Sequence, residues 1–311
     1  MDGLLIIDKP AGPTSHDVVA RMRRALGERR IGHTGTLDPA ATGVLALVLG
    51  RATRLAQFLS TSDKSYEAVV RFGFATDTGD AQGRAIGEVS SAPPPSRAAI
   101  EAALDAFRGT FLQQPPAFSA KKIEGTRSHR LARARSRAAG RSPSSEPSGP
   151  IDLPDLPARV GVTAHRLDVA GVEGDCVTLA VHCSAGFYVR ALAHDLGERL
   201  GVGAHLAALR RTRAGDFGVE DALRLDAAER DPDRARAAVI QPAAMLPRLP
   251  AVTLTVEELR RTKSGGDIDR PDWLAAGPES LVRLLDPAGD LVAIARPRIP
   301  PGLLHPAVVL R

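Results

Sequence analysis

Only two cysteines occur in the 311 residues, Cys176 and Cys183, so no disulfide framework can hold this chain together. Both lie in "CVTLAVHC", which alternates as a strand does. Their offset puts them on opposite faces and about 23 Å apart, far beyond bridging distance. His165 and His182 fall close by in sequence, but the spacing fits no usual zinc finger or ribbon, and no metal is expected. Long apolar runs are also missing, since no stretch approaches the roughly 20 residues that span a bilayer. The first residues, "MDGLLIIDKPAG", carry only four apolar side chains in a row before Asp8 and no basic leader, too little for a secretion signal. These absences predict a cytoplasmic protein with no membrane association. The glycine-rich stretch "GHTGTLDPAATG" (32–43) has no GK[ST] to make a phosphate loop and no second carboxylate to make a glycosidase pair.

What is present describes a soluble globular protein, with 43% hydrophobic and 25% charged residues in a length that suggests two domains. The formal charge is only +5, so its distribution carries more information than its sum. Arg127, Arg130, Arg133, Arg135, Arg137 and Arg141 lie in a stretch free of acids, and most step by three and four, one stripe if that stretch is helical. A second cluster, "RMRRALGERR" (21–30), sets five arginines against one glutamate. Such runs serve either as a solvated face or as a track for a polyanion, because arginine and lysine make most phosphate contacts.

Pattern and punctuation place the elements. "GLLIID" reads as a strand, and Ser15 or Thr14 caps a helix with Val18, Val19, Met22 and Leu26 on one side. "VLALVLG" reads as a fully buried strand, "RATRLAQFL" as a short helix. In "SYEAVVRFGFAT", Tyr66, Ala68, Val70, Phe72 and Phe74 share one face, and Glu67 and Arg71 the other. "RAAIEAALDAF" is a helix, strands surround "VTAHRLDVAGVEGDCVTLAVHC", and "FYVRALAHDLGERLG" is a helix ending at Gly201. Residues 134–157, rich in Ser, Pro, Gly and Arg, read as a flexible surface insertion. A Pro-rich connector near 241–254 leads to a β-rich module with a capping box at "TVEE" and two strands around an Asp-Pro-Ala-Gly turn. Periodicity alone allows α/β or α+β.

Asp38 admits two readings. Asp followed by Pro is a common helix start, with Asp as the cap and Pro at the first helical position. The same dipeptide also restrains the aspartate, because a residue before proline is pushed out of the α region. A carboxylate so held, between glycines that let another molecule approach, can act as a nucleophile. Tyr188 and Arg190 open the helix at 187–201, where the macrodipole disfavours a cation. An arginine there either reaches water or holds an anion; were that anion Asp38, the pair would keep the carboxylate ionised.

Together these motifs resemble the bacterial tRNA pseudouridine-55 synthases of the TruB type. "GHTGTLDPAATGVLALVLGRATR" is similar to the catalytic segment, "LLIIDKPAGPTSHDVV" to the lysine-proline motif, and "SDKSYEAVVRFGFATDTGDAQG" to the tyrosine strand and aspartate-rich turn. "PPAFSAKKIEG", "HCSAGFYVRALAHDLGERLGVGAHLAALRRTRAGDF" and the C-terminal "LTVEELRR…LVRLLDPAGDLVAIA" match as well, so the likeness covers nearly everything outside 134–157. It implies an α+β fold. A catalytic domain (1–248) would surround a mixed, largely antiparallel sheet, followed by a small β-rich PUA-like RNA-binding domain (249–311).

The resemblance also implies roles. Asp38 is the nucleophile, Tyr188 removes the C5 proton or supports its removal, and Arg190 pairs with Asp38. On the substrate side, Tyr66 stacks on the flipped base, His33 fills the space it leaves, and Leu209 lines the pocket. Lys9, with Pro10, belongs to the loop packed behind the site; Lys122 and Asp80 match further family positions. The partner is the T stem-loop of tRNA, met by a monomer without guide RNA, metal or cofactor. His129 stands where the family usually has a tyrosine, which suggests that arginines at 133, 135 and 137 take over part of the RNA grip. Two other functions compete: a tRNA-folding chaperone with secondary catalysis, and a guide-dependent synthase of archaeal or eukaryotic kind.

Overall fold

The computed structural model describes residues 1–116, 122–123, 126–127, 157–269, 271, 274, 280–298 and 302–310. The insertion expected at 134–157 and the arginine stripe beyond Arg127, His129 included, lie outside the described residues, except for Pro157. The chain folds as two compact units, one formed by Met1–Ser62 with Arg213–Arg311 and the other by Asp63–Thr212.

In the first unit the opening apolar run forms the strand Gly3–Lys9. It pairs antiparallel with Thr42–Leu49, from Gly3↔Leu49 to Lys9↔Gly43, and parallel with Leu223–Arg224. Ile31–His33 adds to Thr42–Leu49 on its other side, His33 opposite Leu47. The continuous hydrophobicity of Val44–Leu49 is explained by burial on both faces. Helix Ser15–Leu26 follows the first strand, burying Val18, Val19, Met22 and Leu26 as the 3.6-residue period requires. Thr14, not Ser15, is its cap. The Thr14 hydroxyl accepts from the Asp17 N–H at 3.1 Å, and Asp17 accepts from the Thr14 N–H at 2.8 Å. "RATRLAQFL" divides into a 3₁₀ turn, Gly50–Leu55, and a short α-helix, Ala56–Ser60.

The C-terminal module of this unit is a five-stranded sheet in the order Ala251–Thr253, Val282–Leu285, Leu291–Pro297, Leu303–Val309, Ile268–Asp269. Val252, Val282, Leu284, Ala293, Ala295 and Leu304 build its core. Thr255 and Glu258 form the capping box at "TVEE". Arg283 ties the Pro-rich connector to the module by donating to the carbonyls of Ala243 (2.7 Å) and Leu249 (3.0 Å), beside the packing of Met245 and Leu249 with Leu291 and Ile294.

In the second unit Lys64–Phe72, Cys176–Cys183, Val160–Glu173 and Gly109–Gln113 form an antiparallel sheet, and Ala204–Ala214, most of which belongs to this unit, lies beside Lys64–Phe72. Helices Arg97–Leu104 and Val189–Leu200 add their buried faces to a core with Ala68, Val70, Phe72, Leu179 and Leu206. Burial alternates along Cys176–Cys183, leaving Cys176 partly exposed and Cys183 buried, both as free thiols on opposite faces. The tyrosine strand stops at Phe72, short of Phe74, because Gly73 turns with φ 112°. No helix among the described residues is long and apolar enough to cross a membrane.

Candidate active site

Asp38 does not start a helix. Its carbonyl accepts from the Ala41 N–H at 3.1 Å, making Asp38–Ala41 a turn with Pro39 in its second position, after which Thr42–Leu49 begins. The helix-cap reading therefore fails: the backbone here is a turn leading into a strand. The turn is anchored from both sides. Before Asp38, Leu37 is buried and its backbone is bonded to the Ser15 hydroxyl. After it, the Pro39 carbonyl accepts from Gly12 N–H at 2.8 Å and from Lys9 Nζ at 3.0 Å. Lys9 is fully buried, and its ammonium also donates to the carbonyls of Pro10 (2.9 Å) and Pro13 (2.8 Å). A buried cation is tolerable only with such partners, and here they tie the lysine-proline loop to the residue after Asp38. Asp38 itself is half-buried. His33, also half-buried, ends the strand leading into the loop, its ring edge-on to His16 at 5.3 Å between centroids.

The second unit carries the other candidates. Tyr66 lies on the strand Lys64–Phe72, half-buried against the core, and Leu209 packs on the same cluster from the strand Ala204–Ala214. Tyr188 is the N-cap of helix Val189–Leu200, held by Gln113, whose side chain accepts from the Tyr188 N–H (2.8 Å) and donates to its carbonyl (3.0 Å). Gln113 is fully buried, so an internal amide fixes the backbone from which the phenol projects. Arg190 sits at the second helical position, and its side chain is only 8% exposed. Its Nη1 donates to the Thr78 carbonyl at 2.9 Å, and its Nε lies 3.9 Å from the Asp80 carboxylate. Asp80 is aimed by the Thr78 hydroxyl (2.7 Å) and the Gln82 N–H (3.0 Å). The intervening Gly79 adopts φ +74°, the left-handed turn that lets the aspartate-rich segment close on this arginine. The arginine at a helix start, unfavourable for the dipole, is thus offset by a dedicated acidic turn. Lys122 lies in a two-residue strand paired with Thr126–Arg127.

Sequence reasoning took Ser15 only as a possible helix cap and passed over Gln113, Thr78 and Lys64. Lys64 precedes Tyr66 by two residues on the same strand face and is 8% exposed. Burial, and secondarily the Arg211 guanidinium, push its ammonium down to about 8, while burial pushes the Cys183 thiol opposite it up to about 12. Below about pH 8 Lys64 is protonated in folded and unfolded chains alike. Between about 8 and the ordinary value of 10.5 the unfolded chain holds the proton more tightly, so this residue adds stability as pH rises. The stability of the wild type relative to Lys64→Met is expected to rise across that window in urea melts. A difference that stays flat from pH 7 to 10.5 would remove the claim.

Among the described residues no group of three or more His, Cys, Asp or Glu side chains is arranged to hold a metal ion.

Solved structures share this architecture. One described as an H/ACA RNP bound to a substrate RNA containing 2′-deoxyuridine is similar over 99% of this chain and 85% of that one, with a TM-score of 0.71 and 24% identity. A Cbf5-Nop10-Gar1 complex covers 95% and 78%, with a TM-score of 0.68 and 28% identity. In sequence, residues 23–144 match the TruB family pseudouridylate synthase N-terminal domain, and residues 190–243 match the tRNA pseudouridylate synthase B C-terminal domain. The class is thus a pseudouridylate synthase of α+β fold, with a mixed, largely antiparallel sheet and a β-rich C-terminal part. A protein of Solibacter usitatus named tRNA pseudouridine synthase B is 41% identical over 312 residues, the whole of both chains. One of the same name from Thermobifida fusca is 41% identical over 99% of this chain and 98% of its own. The chain belongs to the TruB family.

Proposed function

We propose that this chain is a tRNA pseudouridine synthase that isomerises the T-loop uridine with Asp38 as nucleophile. The N1–C1′ bond of the uridine breaks, a C5–C1′ bond forms, C5 loses its proton and N1 gains one, so nothing is oxidised, hydrolysed or transferred outward. Such chemistry asks for one immobile nucleophile and a shaped pocket, with no metal or cofactor. The observation that carries the reading is the aspartate turn, its flanking peptide groups fixed by buried side chains, in a chain 41% identical from end to end to a named tRNA pseudouridine synthase B.

Unstacking the target base costs a few kcal/mol, and stacking on Tyr66 returns about 1–3 kcal/mol. His33 fills the vacated space, Leu209 lines the pocket, Tyr188 takes or supports removal of the C5 proton, and Arg190 pairs with Asp38. Lys9 holds the loop behind the nucleophile, and Lys122 meets the RNA. Residues 1–248 act as the catalytic domain, and 249–311 as a PUA-like domain on the tRNA. The enzyme works as a cytoplasmic monomer without guide RNA. Purified protein and an unmodified tRNA transcript, with no other macromolecule, test this. Carbodiimide treatment and primer extension are expected to mark one T-loop position, whereas no mark, or a mark only with an added guide, would contradict it.

A further inference from the structure

The Ser15 hydroxyl has no part in capping its helix, because Thr14 and Asp17 already satisfy that end. It is 1% exposed and reaches 22 residues along the chain to Leu37. There it accepts from the Leu37 N–H at 2.9 Å and donates to the Leu37 carbonyl at 3.0 Å, so its single donor and one of its two acceptor lone pairs both go to Leu37. The Leu37 carbonyl lies in the same planar peptide unit as the Asp38 nitrogen, so aiming one aims the other. The turn bond from Ala41 fixes the next peptide unit, and Lys9 with Gly12 fixes the one after. Pro39 narrows the Asp38 backbone further. Every peptide unit around the nucleophile therefore has a partner, and Ser15 supplies the two on the N-terminal side.

We infer that Ser15 is a positioning residue for the reaction, a hydroxyl clamp that aims the Asp38 carboxylate through the Leu37 backbone. This rests on Asp38 being the nucleophile. Gln113 makes the same two-way contact with Tyr188, so both candidate reactive groups are held by a buried polar side chain that reads backbone.

The test is steady-state kinetics on a T-stem-loop tRNA transcript for Ser15→Ala, Ser15→Cys and Asp38→Asn, with tRNA-binding stoichiometry giving the folded fraction. Per folded molecule, kcat of Ser15→Ala is expected to fall by about 10- to 100-fold, the scale on which small misplacements of reacting groups are felt. KM should stay within about twofold, since an aiming contact is not a binding contact. The weak thiol of Ser15→Cys should fall between, giving the order Ser, Cys, Ala. Wild-type kcat in Ser15→Ala, a rise in KM alone, or a loss that vanishes after correction for folded fraction would each overturn the clamp. If Asp38→Asn is inactive while Ser15→Ala is unimpaired, only the clamp fails. If Asp38→Asn turns over normally, the nucleophile reading fails with it.

Discussion

Asp38→Asn is expected to bind tRNA within about twofold of the wild type and to isomerise it at least about 10³-fold more slowly, the scale seen when an enzyme loses its nucleophile. The substitution preserves size and leaves in place the bonds that the backbone around Asp38 makes with Ala41, Ser15, Gly12 and Lys9. It removes the negative charge and with it the capacity to attack carbon. RNA affinity comes chiefly from cationic side chains on phosphates and should survive. Filter binding and single-turnover rates on one preparation separate the two quantities. Loss of both together would mean that Asp38 is a folding or docking residue.

Gly197→Ala should cost about 2–3 kcal/mol of stability, as overpacking of a tight contact does. On propensity alone the change would help, since alanine is favoured over glycine inside a helix by roughly 1 kcal/mol. Space decides otherwise. A Cβ at Gly197 would stand 2.2 Å from the Ala204 nitrogen and 2.5 Å from the Gly203 carbonyl carbon, backbone atoms that cannot swing aside. The Gly197 carbonyl also accepts from the N–H groups of Val202 and Gly203, which draws the following turn against the helix. That helix carries Arg190, so loosening it should lower activity as well. Gly201→Ala is the control. Its site is open within 4 Å but φ is +69°, so only the left-handed backbone is penalised, at about 1–2 kcal/mol. Urea midpoints that rank Gly201→Ala below Gly197→Ala would refute the packing argument.

Local patterns were legible in the sequence because their causes are local. Strand alternation at Tyr66–Phe72, the apolar stripe Val18–Leu26 and the glycine stop at Gly201 each express a repeat or a φ preference within a few residues. The choice between Thr14 and Ser15 as cap was not, since both hydroxyls suit it. What separates them is Leu37, a partner 22 residues from Ser15. Asp38–Pro39 was ambiguous for the same reason. The dipeptide starts helices and turns alike, and the outcome depends on Lys9 and Gly12 capturing the Pro39 carbonyl. Gln113 gave no local signal at all, because its partner Tyr188 lies 75 residues away. The site residues could be named from motifs, while the side chains that hold them still became visible only once the chain was folded.

The most direct test of the account is tritium release from tRNA transcript carrying [5-³H]uridine, with the purified wild-type chain alone beside Asp38→Asn. The account predicts one equivalent released per tRNA by the wild type and none above background by the variant. Release by both at the same rate, or by neither, would contradict it.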